Sequence, residues 1–505
     1  MRRVLDAGRR LAALLAIALL AACSTTRPWL NAPIDPAAAV EASRGIDMRP
    51  VADRLADPPT VIVAVALSGG GARAAAFGLG VLEELKAARF ELDGRPSTLL
   101  DEVELISGVS GGSVLAAYYA AFGDEVFSRF DADFLQRDFQ AGLIHYMLSP
   151  VSLHRLTSPW YGRSNALAEQ LDPVFRGLTF GDLSAPPVDG KRPPPPREGT
   201  ASTRKRPVFD SGARRRGPRL LVTATDLTTG APFEFTPEQF ALICSDLDHV
   251  PLSFAVAASS SVPVLLSPMT IRNYAGSCPA PAQANVESPA DQNLSARLRR
   301  MIATSYRNAQ ERPYLHLVDG GVVDNLGVRG LLDHMIASGS LRQSFAHLPP
   351  ASVRRIVLVS VNSERDIGDR LDDSDRVPSS GQVLDALVFG AGSRTTTETS
   401  AMVVDAARRL AEELMADRGS DGSPFAADAE LHVISVSLRD VPDAALRRQL
   451  LQVPTAFTIL PLQVQQLREA GRSTLRASPD YQALLRGLRL PQTAVTADAG
   501  ATGTR

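Results

Sequence analysis

Two stretches of this sequence share one layout, and that layout restricts the fold more than any other feature. Residues 60–71, "TVIVAVALSGGG", and residues 103–112, "VELISGVSGG", each run through a mostly apolar segment into a cluster of Gly and Ser. Stretches of helical character follow them, "ARAAAFGLGVLEELKAA" and "GGSVLAAYYAAF". An apolar run of strand length without alternation marks a strand buried on both faces, the usual state in a parallel sheet. "RLLVTATDL", "YLHLVDGG", "RRIVLVSVN" and "ELHVISVSL" are read as further strands separated by helical segments. Strand and helix alternate, so the fold class is α/β. With 505 residues, 45% of them apolar, the chain is long enough for one large domain or two ordinary ones with a full core. A net charge of -2 argues against nucleic acid as the main partner.

The first residues read as an address. "MRRVLDAGRR" is basic and "LAALLAIALLAA" is apolar, but a spanning helix needs about 20 apolar residues. The pattern is that of a secretory signal peptide over residues 1–22, excluded from fold reasoning. The junction "LLAACS" resembles a bacterial lipobox, which makes Cys23 the candidate for lipidation. Ser24 after it, in place of Asp, resembles the outer-membrane class. The expected location is the bacterial cell envelope, with the protein held to the membrane by its N-terminal lipid and facing the periplasm. Residues 23–58 are polar and contain Pro, and suit a lipidated tether. Export permits disulfides. With Cys23 set aside, Cys244 and Cys278 remain as the expected pair.

Two segments interrupt the strand–helix alternation. Residues 186–218 are Pro-rich and strongly basic, and are expected as a surface insertion. Residues 272–312 form a second insertion, polar at first and then helical. Residues 336–490 are expected as a C-terminal α/β extension packed on the main domain, and residues 491–505 as a disordered tail.

Ser110 lies in Gly108-Val109-Ser110-Gly111-Gly112, a GxSxG sequence after a strand and before a helix. That context suits a nucleophile elbow, where a sharp turn lifts the hydroxyl clear of the sheet and the flanks must be small. The adjoining helix start supplies N–H groups and the positive end of a dipole. A structural turn packing a helix close to a strand is the alternative. Gly69, Gly70 and Gly71 sit in the same strand-to-helix context, so their N–H groups can approach an anion. The anion can be a tetrahedral oxyanion. It can also be a pyrophosphate, since Gly69-x-Gly71-x-x-Ala74 fits a loose dinucleotide fingerprint. That second reading needs an acidic residue ending the next strand. Glu91 and Asp93 have the right distance, but "FELDGRP" is a poor buried strand.

None of the seven His residues sits in a convincing motif. His316 is on a core strand, but its parity differs from that of Asp319, so the two face opposite sides. Asp319 ends that strand before Gly320 and Gly321, which places a carboxylate at a sheet edge. Ligands of open α/β sheets bind at the carboxyl edge. No cluster has metal-ligand spacing, and no cofactor is expected.

Taken in order, "GGGAR" at 69–73, "GVSGG" at 108–112 and "DGG" at 319–321 resemble the patatin-like phospholipase family. "AASSSVPVLLSP" (257–268) and "VVDNLGV", after the DGG, are similar to further family segments. The resemblance covers roughly residues 60–335, and the catalytic domain is set at 59–335. It implies a three-layer α/β/α fold with a mostly parallel central sheet. It also implies a Ser–Asp dyad with Ser110 as nucleophile and Asp319 as base. Gly69, Gly70 and Gly71 become the oxyanion loop, supported by Arg73, with Gly108 and Gly112 as the elbow glycines. The implied substrate is a phospholipid or other acyl-ester lipid. A lipid-anchored envelope binding or assembly protein on the same scaffold, with little turnover, is the second reading.

Overall fold

The computed structural model describes residues 24–35, 60–92, 94–184, 217–278, 294–332, 340–366, 375–386 and 391–489. The expected signal peptide, Cys23, Asp93, the C-terminal tail and nearly all of the basic insertion lie outside the described residues.

Strand β1 (Val61–Leu67) leads into helix α1 (Gly71–Ala87). A small antiparallel hairpin follows, β2 (Arg89–Leu92) with β3 (Arg95–Thr98). Strand β4 (Val103–Gly108) leads into α2 (Gly111–Phe122). Then come α3 (Phe139–Leu148), α4 (Pro150–Arg155) and α5 (Arg163–Phe175). After them the chain forms β5 (Arg219–Asp226), β6 (Pro232–Glu234), α6 (Leu252–Ser259), β7 (Met269–Arg272), α7 (Leu294–Arg307) and β8 (Tyr314–Asp319). The C-terminal part supplies β9 (Val353–Asn362), α8 (Ala391–Asp417), β10 (Phe425–Ser437) and α9 (Pro461–Ala477).

Eight strands form one sheet in the order β10-β9-β1-β4-β5-β8-β7, with β6 paired to β5. The first five are parallel; β6, β7 and β8 pair antiparallel. The unbroken apolar run of β1 explains its central place. Val61, Val63, Val65 and Leu67 enter one core with α1, α2 and α9. Ile62 and Ala66 enter a second core with Val403, Leu410 and Leu414 of α8. The period of two along the strand thus feeds two helical layers, one on each face.

The segment expected as a C-terminal extension supplies two of the eight strands, and β9 pairs with β1 along its whole length. Within the second insertion, Tyr306 of α7 is fully buried, and the Asn273 side chain donates to the carbonyls of Tyr306 and Arg312. Cys244 and Cys278 are joined, with Cα atoms 5.9 Å apart, within the range that a disulfide requires.

Part of the segment expected as a tether, Ser24–Asp35, lies against the domain. The Trp29 ring meets Phe254 at 4.5 Å. The buried Asn31 side chain donates to Ser245 Oγ and the Arg272 carbonyl, both at 2.8 Å. The Ile34 N–H donates to the Cys244 carbonyl at 2.9 Å.

Candidate active site

The turn after β4 carries Ser110 at φ 49°, ψ -122°, a region that L-residues with a side chain rarely occupy. Its N–H donates to Ser259 Oγ at 2.9 Å, and Ser259 Oγ donates to the Thr223 carbonyl at 2.6 Å. The end of α6 and strand β5 therefore hold the strained residue in place. Val109 N–H donates to the Leu67 carbonyl at 3.1 Å, which ties the turn to β1. A Cβ on Gly112 would strike the carbonyl oxygens of Leu67 and Ser68, and one on Gly108 would strike the backbone of Gly112 and Ser113. The two elbow glycines let α2 start directly against the strands.

Register brings the Asp to the Ser. Gly108 of β4 pairs with Val222 of β5, and Ala224, two residues on, pairs with Asp319 of β8. Ser110, two residues past Gly108, therefore ends at the level of Asp319. The sequence reading gave Asp319 this place as the last residue of a strand at the carboxyl edge. In the structure β8 runs antiparallel to β5. It enters at that edge and stops early, because Gly320–Val322 turns the chain into a 3-10 helix.

The Asp319 backbone is fixed on both sides, its N–H by the Ser261 carbonyl (2.9 Å) and its C=O by Thr225 Oγ1 (2.8 Å). Its carboxylate accepts from the Gly321 N–H at 2.7 Å, and the Ser110 side chain stands beside it. Burial pushes the Asp319 carboxyl up to about 6, although Gly321 and Ser110 both favour the charged form. His316 points the other way. It is exposed, and its Nδ1 lies 3.0 Å from Thr270 Oγ1, as the parity along the strand requires.

The Gly-rich loop divides its roles. Gly69 was expected as an oxyanion donor, but its N–H donates to the Asn325 carbonyl at 2.9 Å. Gly70 and Gly71, at φ 140° and φ 61°, begin the turn into α1. A Cβ on Gly71 would meet the Ala456 carbonyl, to which the Ala72 N–H donates at 2.8 Å. Arg73 is buried, and burial pushes its guanidinium down to about 9. Its Nε donates to the Ser363 carbonyl (2.8 Å) and its Nη1 to the Val453 carbonyl (2.6 Å). Ser363 Oγ in turn donates to the Gly69 carbonyl at 3.0 Å, and Ser363 N–H to Ser68 Oγ at 2.8 Å.

A pocket opens over these groups, lined by Gly69, Gly70, Ser110, Asp319, Asn325 and Thr455. Val262, Pro263 and Val322 form its apolar wall, and Glu364 and Arg365 stand at its polar side. Ser259, Asn325 and Ser363 are the residues whose roles sequence reasoning missed. The first two lie in quoted segments, but Ser363 has no local signal. Glu91, which the dinucleotide reading needs, sits on the separate β2–β3 hairpin and not at the end of a sheet strand.

No curated protein matches the chain. Among solved structures, human GIVD cytosolic phospholipase A2 is similar at 12% identity and a TM-score of 0.39, over 92% of this chain and 67% of that one. The same human protein in complex with methyl gamma-linolenyl fluorophosphonate aligns at 13% identity and a TM-score of 0.38, over 91% and 64%. At such scores the likeness carries no argument about activity. The family model described as patatin-like phospholipase matches residues 65–332, more than half of the 505 residues, and contains the Gly-rich loop, the Ser110 elbow and Asp319. On that match the chain belongs to the patatin-like phospholipase family.

Proposed function

We propose that this protein is a serine acyl hydrolase that cleaves lipid acyl esters through a Ser110–Asp319 dyad. The observation that carries the reading is Ser110, held on a strained elbow in the same apolar-walled pocket as the buried Asp319 carboxylate, whose charged form its side chain favours. Ser110 Oγ attacks the ester carbonyl carbon while its proton passes to Asp319. The carbonyl oxygen becomes an oxyanion facing the N–H groups of Gly70, Gly71 and Gly111, where the starts of α1 and α2 meet. Donors aimed at developing charge contribute ~3–4 kcal/mol each. Collapse expels the alcohol, which takes the proton back from Asp319 and leaves an acyl-Ser110 ester. Water then attacks, Asp319 accepts its proton, and the second collapse releases the fatty acid and restores Ser110.

A carboxylate is a weak base at its ordinary value of about 4. Raised to about 6, Asp319 remains mostly ionised at neutral pH yet is a stronger proton acceptor. Arg73 and Ser363 act as positioning residues, since they hold the carbonyl side of the Gly-rich loop and leave its N–H groups turned to the pocket. Lipidation at Cys23 and an outer-membrane location facing the periplasm complete the proposal, supported by the basic and apolar leader before "LAAC". Turnover of p-nitrophenyl acyl esters by the purified protein, compared with Ser110→Ala, tests it. A folded wild-type protein that turns over no ester faster than Ser110→Ala would leave the scaffold as a binding module.

A further inference from the structure

Residues 139–168 contain neither Asp nor Glu, an unusual run in a chain with 55 acidic residues. Within this run, Ile144 and Leu148 share one face of α3, four residues apart, and Val151 and Leu153 follow on α4. Leu148 is 65% exposed and Val151 69%, and Ile144, Leu153 and Trp160 are also exposed. A core-facing helix hides such residues; here five large apolar side chains within one short stretch are left exposed. The arginines in the run are Arg155 and Arg163, of which Arg155 pairs with Glu169.

Both ends of the run are tied to the rim of the pocket. At its start the Gln140 N–H donates to Thr458 Oγ1 at 3.0 Å, and Phe139 packs on Phe457 at 5.6 Å, close to the pocket residue Thr455. At its end Arg163 donates to the Val264 carbonyl at 2.8 Å, next to the pocket residue Pro263. Val264 and Leu265 are themselves more than half exposed. The N-terminal segment arrives at the same face. Ser24 N–H donates to Thr157 Oγ1 at 3.0 Å, Ser158 Oγ donates to the Thr26 carbonyl at 2.7 Å, and the Arg27 guanidinium lies 3.3 Å from the centre of the Trp160 ring.

From these observations we propose that the α3–α4 surface, with Trp160 and the Val264–Leu265 loop, is where this protein lies on a lipid bilayer. An apolar face whose own segment carries no carboxylate, with Arg155 at its side paired to the neighbouring Glu169 and a Trp within it, has the chemistry of an interfacial segment that sits among headgroups and upper acyl chains. The described chain begins at Ser24 on this same face, so an N-terminal anchor of the kind proposed above and the face would meet one membrane, with the pocket rim toward the layer that supplies its ester. The choice of ester as cargo rests on the hydrolase reading; the docking itself does not.

The test uses the full chain with Trp29→Phe, which leaves Trp160 as the single Trp of the original two. The probe is phosphatidylcholine–phosphatidylglycerol vesicles with brominated acyl chains. The expected result is blue-shifted, bromine-quenched Trp160 emission. Adding Leu148→Glu, Val151→Glu and Leu153→Glu should abolish the quenching and lower hydrolysis of vesicle-borne phospholipid at least tenfold. Turnover of a soluble short-chain ester should stay within twofold. Protein that floats with the vesicles while Trp160 stays unquenched overturns the proposal, because the N-terminus alone then makes the contact. Unchanged quenching in the triple variant also overturns it. So does sedimentation showing that the triple variant disperses a dimer whose parent binds no vesicles, since the face then covers a second copy. Quenching without hydrolysis of any ester supports the docking surface and removes the hydrolase reading.

Discussion

In the proposed mechanism Asp319 joins stability and function in one side chain. Its folded value of about 6 lies above the ordinary 3.8 because it is buried. A carboxyl that holds its proton more tightly when folded contributes stability that is complete below about 3.8 and is lost as pH rises through about 6. At neutral pH the ionised Asp319 is therefore a cost to folding. Asp319→Asn should lower ester hydrolysis by roughly 10²–10⁴-fold, the usual contribution of a general base. It should also make the protein more stable at pH 8 by about 2–3 kcal/mol, the equivalent of a shift of that size. Urea unfolding at pH 4 and pH 8 measures this, with the gain present at pH 8 and absent at pH 4. A variant less stable than wild type at pH 8 would show that the burial cost is misjudged. By the same sign, wild-type kcat/KM should climb with pH up to about 6 and then level, as Asp319 loses its proton. Ser363→Ala removes the hydroxyl that lies 3.0 Å from Ser68 Oγ and donates to the Gly69 carbonyl, and leaves the backbone N–H bond to Ser68 in place. Such a bond is worth about 1 kcal/mol. Because it holds the loop and does not touch substrate, kcat should fall several-fold while KM hardly moves.

At the scale of elements, what the sequence makes legible is what a local pattern determines. The double-sided apolar run of β1, the strand–Gly–helix turns and the parity of His316 against Asp319 all depend on neighbours within a few residues. The six strands read from the sequence are present in the structure. Strands β6 and β7 have only three and four residues and leave no periodic trace. Docking of Ser24–Asp35 is spread over individual contacts such as those of Trp29, Asn31 and Ile34, which composition alone cannot reveal. Arg73 meets carbonyls 290 and 380 positions away, so its partners are legible only after folding. The elbow gives the element-scale prediction. Gly112→Ala puts a methyl against the Leu67 and Ser68 carbonyls, and backbone there cannot yield as a flexible side chain does. Overpacking of this kind costs about 1–3 kcal/mol. Thermal unfolding should show the loss, and hydrolysis should fall with it because Ser110 shifts. A fully stable Gly112→Ala would contradict the close approach of α2 to β1.

Across the whole molecule, the matched family region stops at residue 332, but the folded unit does not. Without β9, strand β1 loses the partner on one side, and without α9 helix α1 loses the face that covers it. Arg73 would be left buried with neither of its acceptor carbonyls. A buried charge without partners is strongly destabilising. A chain ending at residue 335 should therefore be insoluble or lack a cooperative unfolding transition. The Cys244–Cys278 link closes a loop with a sequence separation of 34, for which chain entropy gives about 3–4 kcal/mol. Cys244→Ala with Cys278→Ala should lower stability by that order and leave the Ser110 chemistry intact, since neither residue lines the pocket.

The central claim is that Ser110 attacks esters with Asp319 as its base and without a His. Intact-mass spectrometry after treatment with a fluorophosphonate tests it directly. One adduct per chain is expected, mapped to Ser110 by peptide sequencing, formed at the wild-type rate by His316→Ala and at least a hundredfold more slowly by Asp319→Asn. An adduct on another residue, or a folded Asp319→Asn variant that labels as fast as wild type while His316→Ala does not label, would contradict the account.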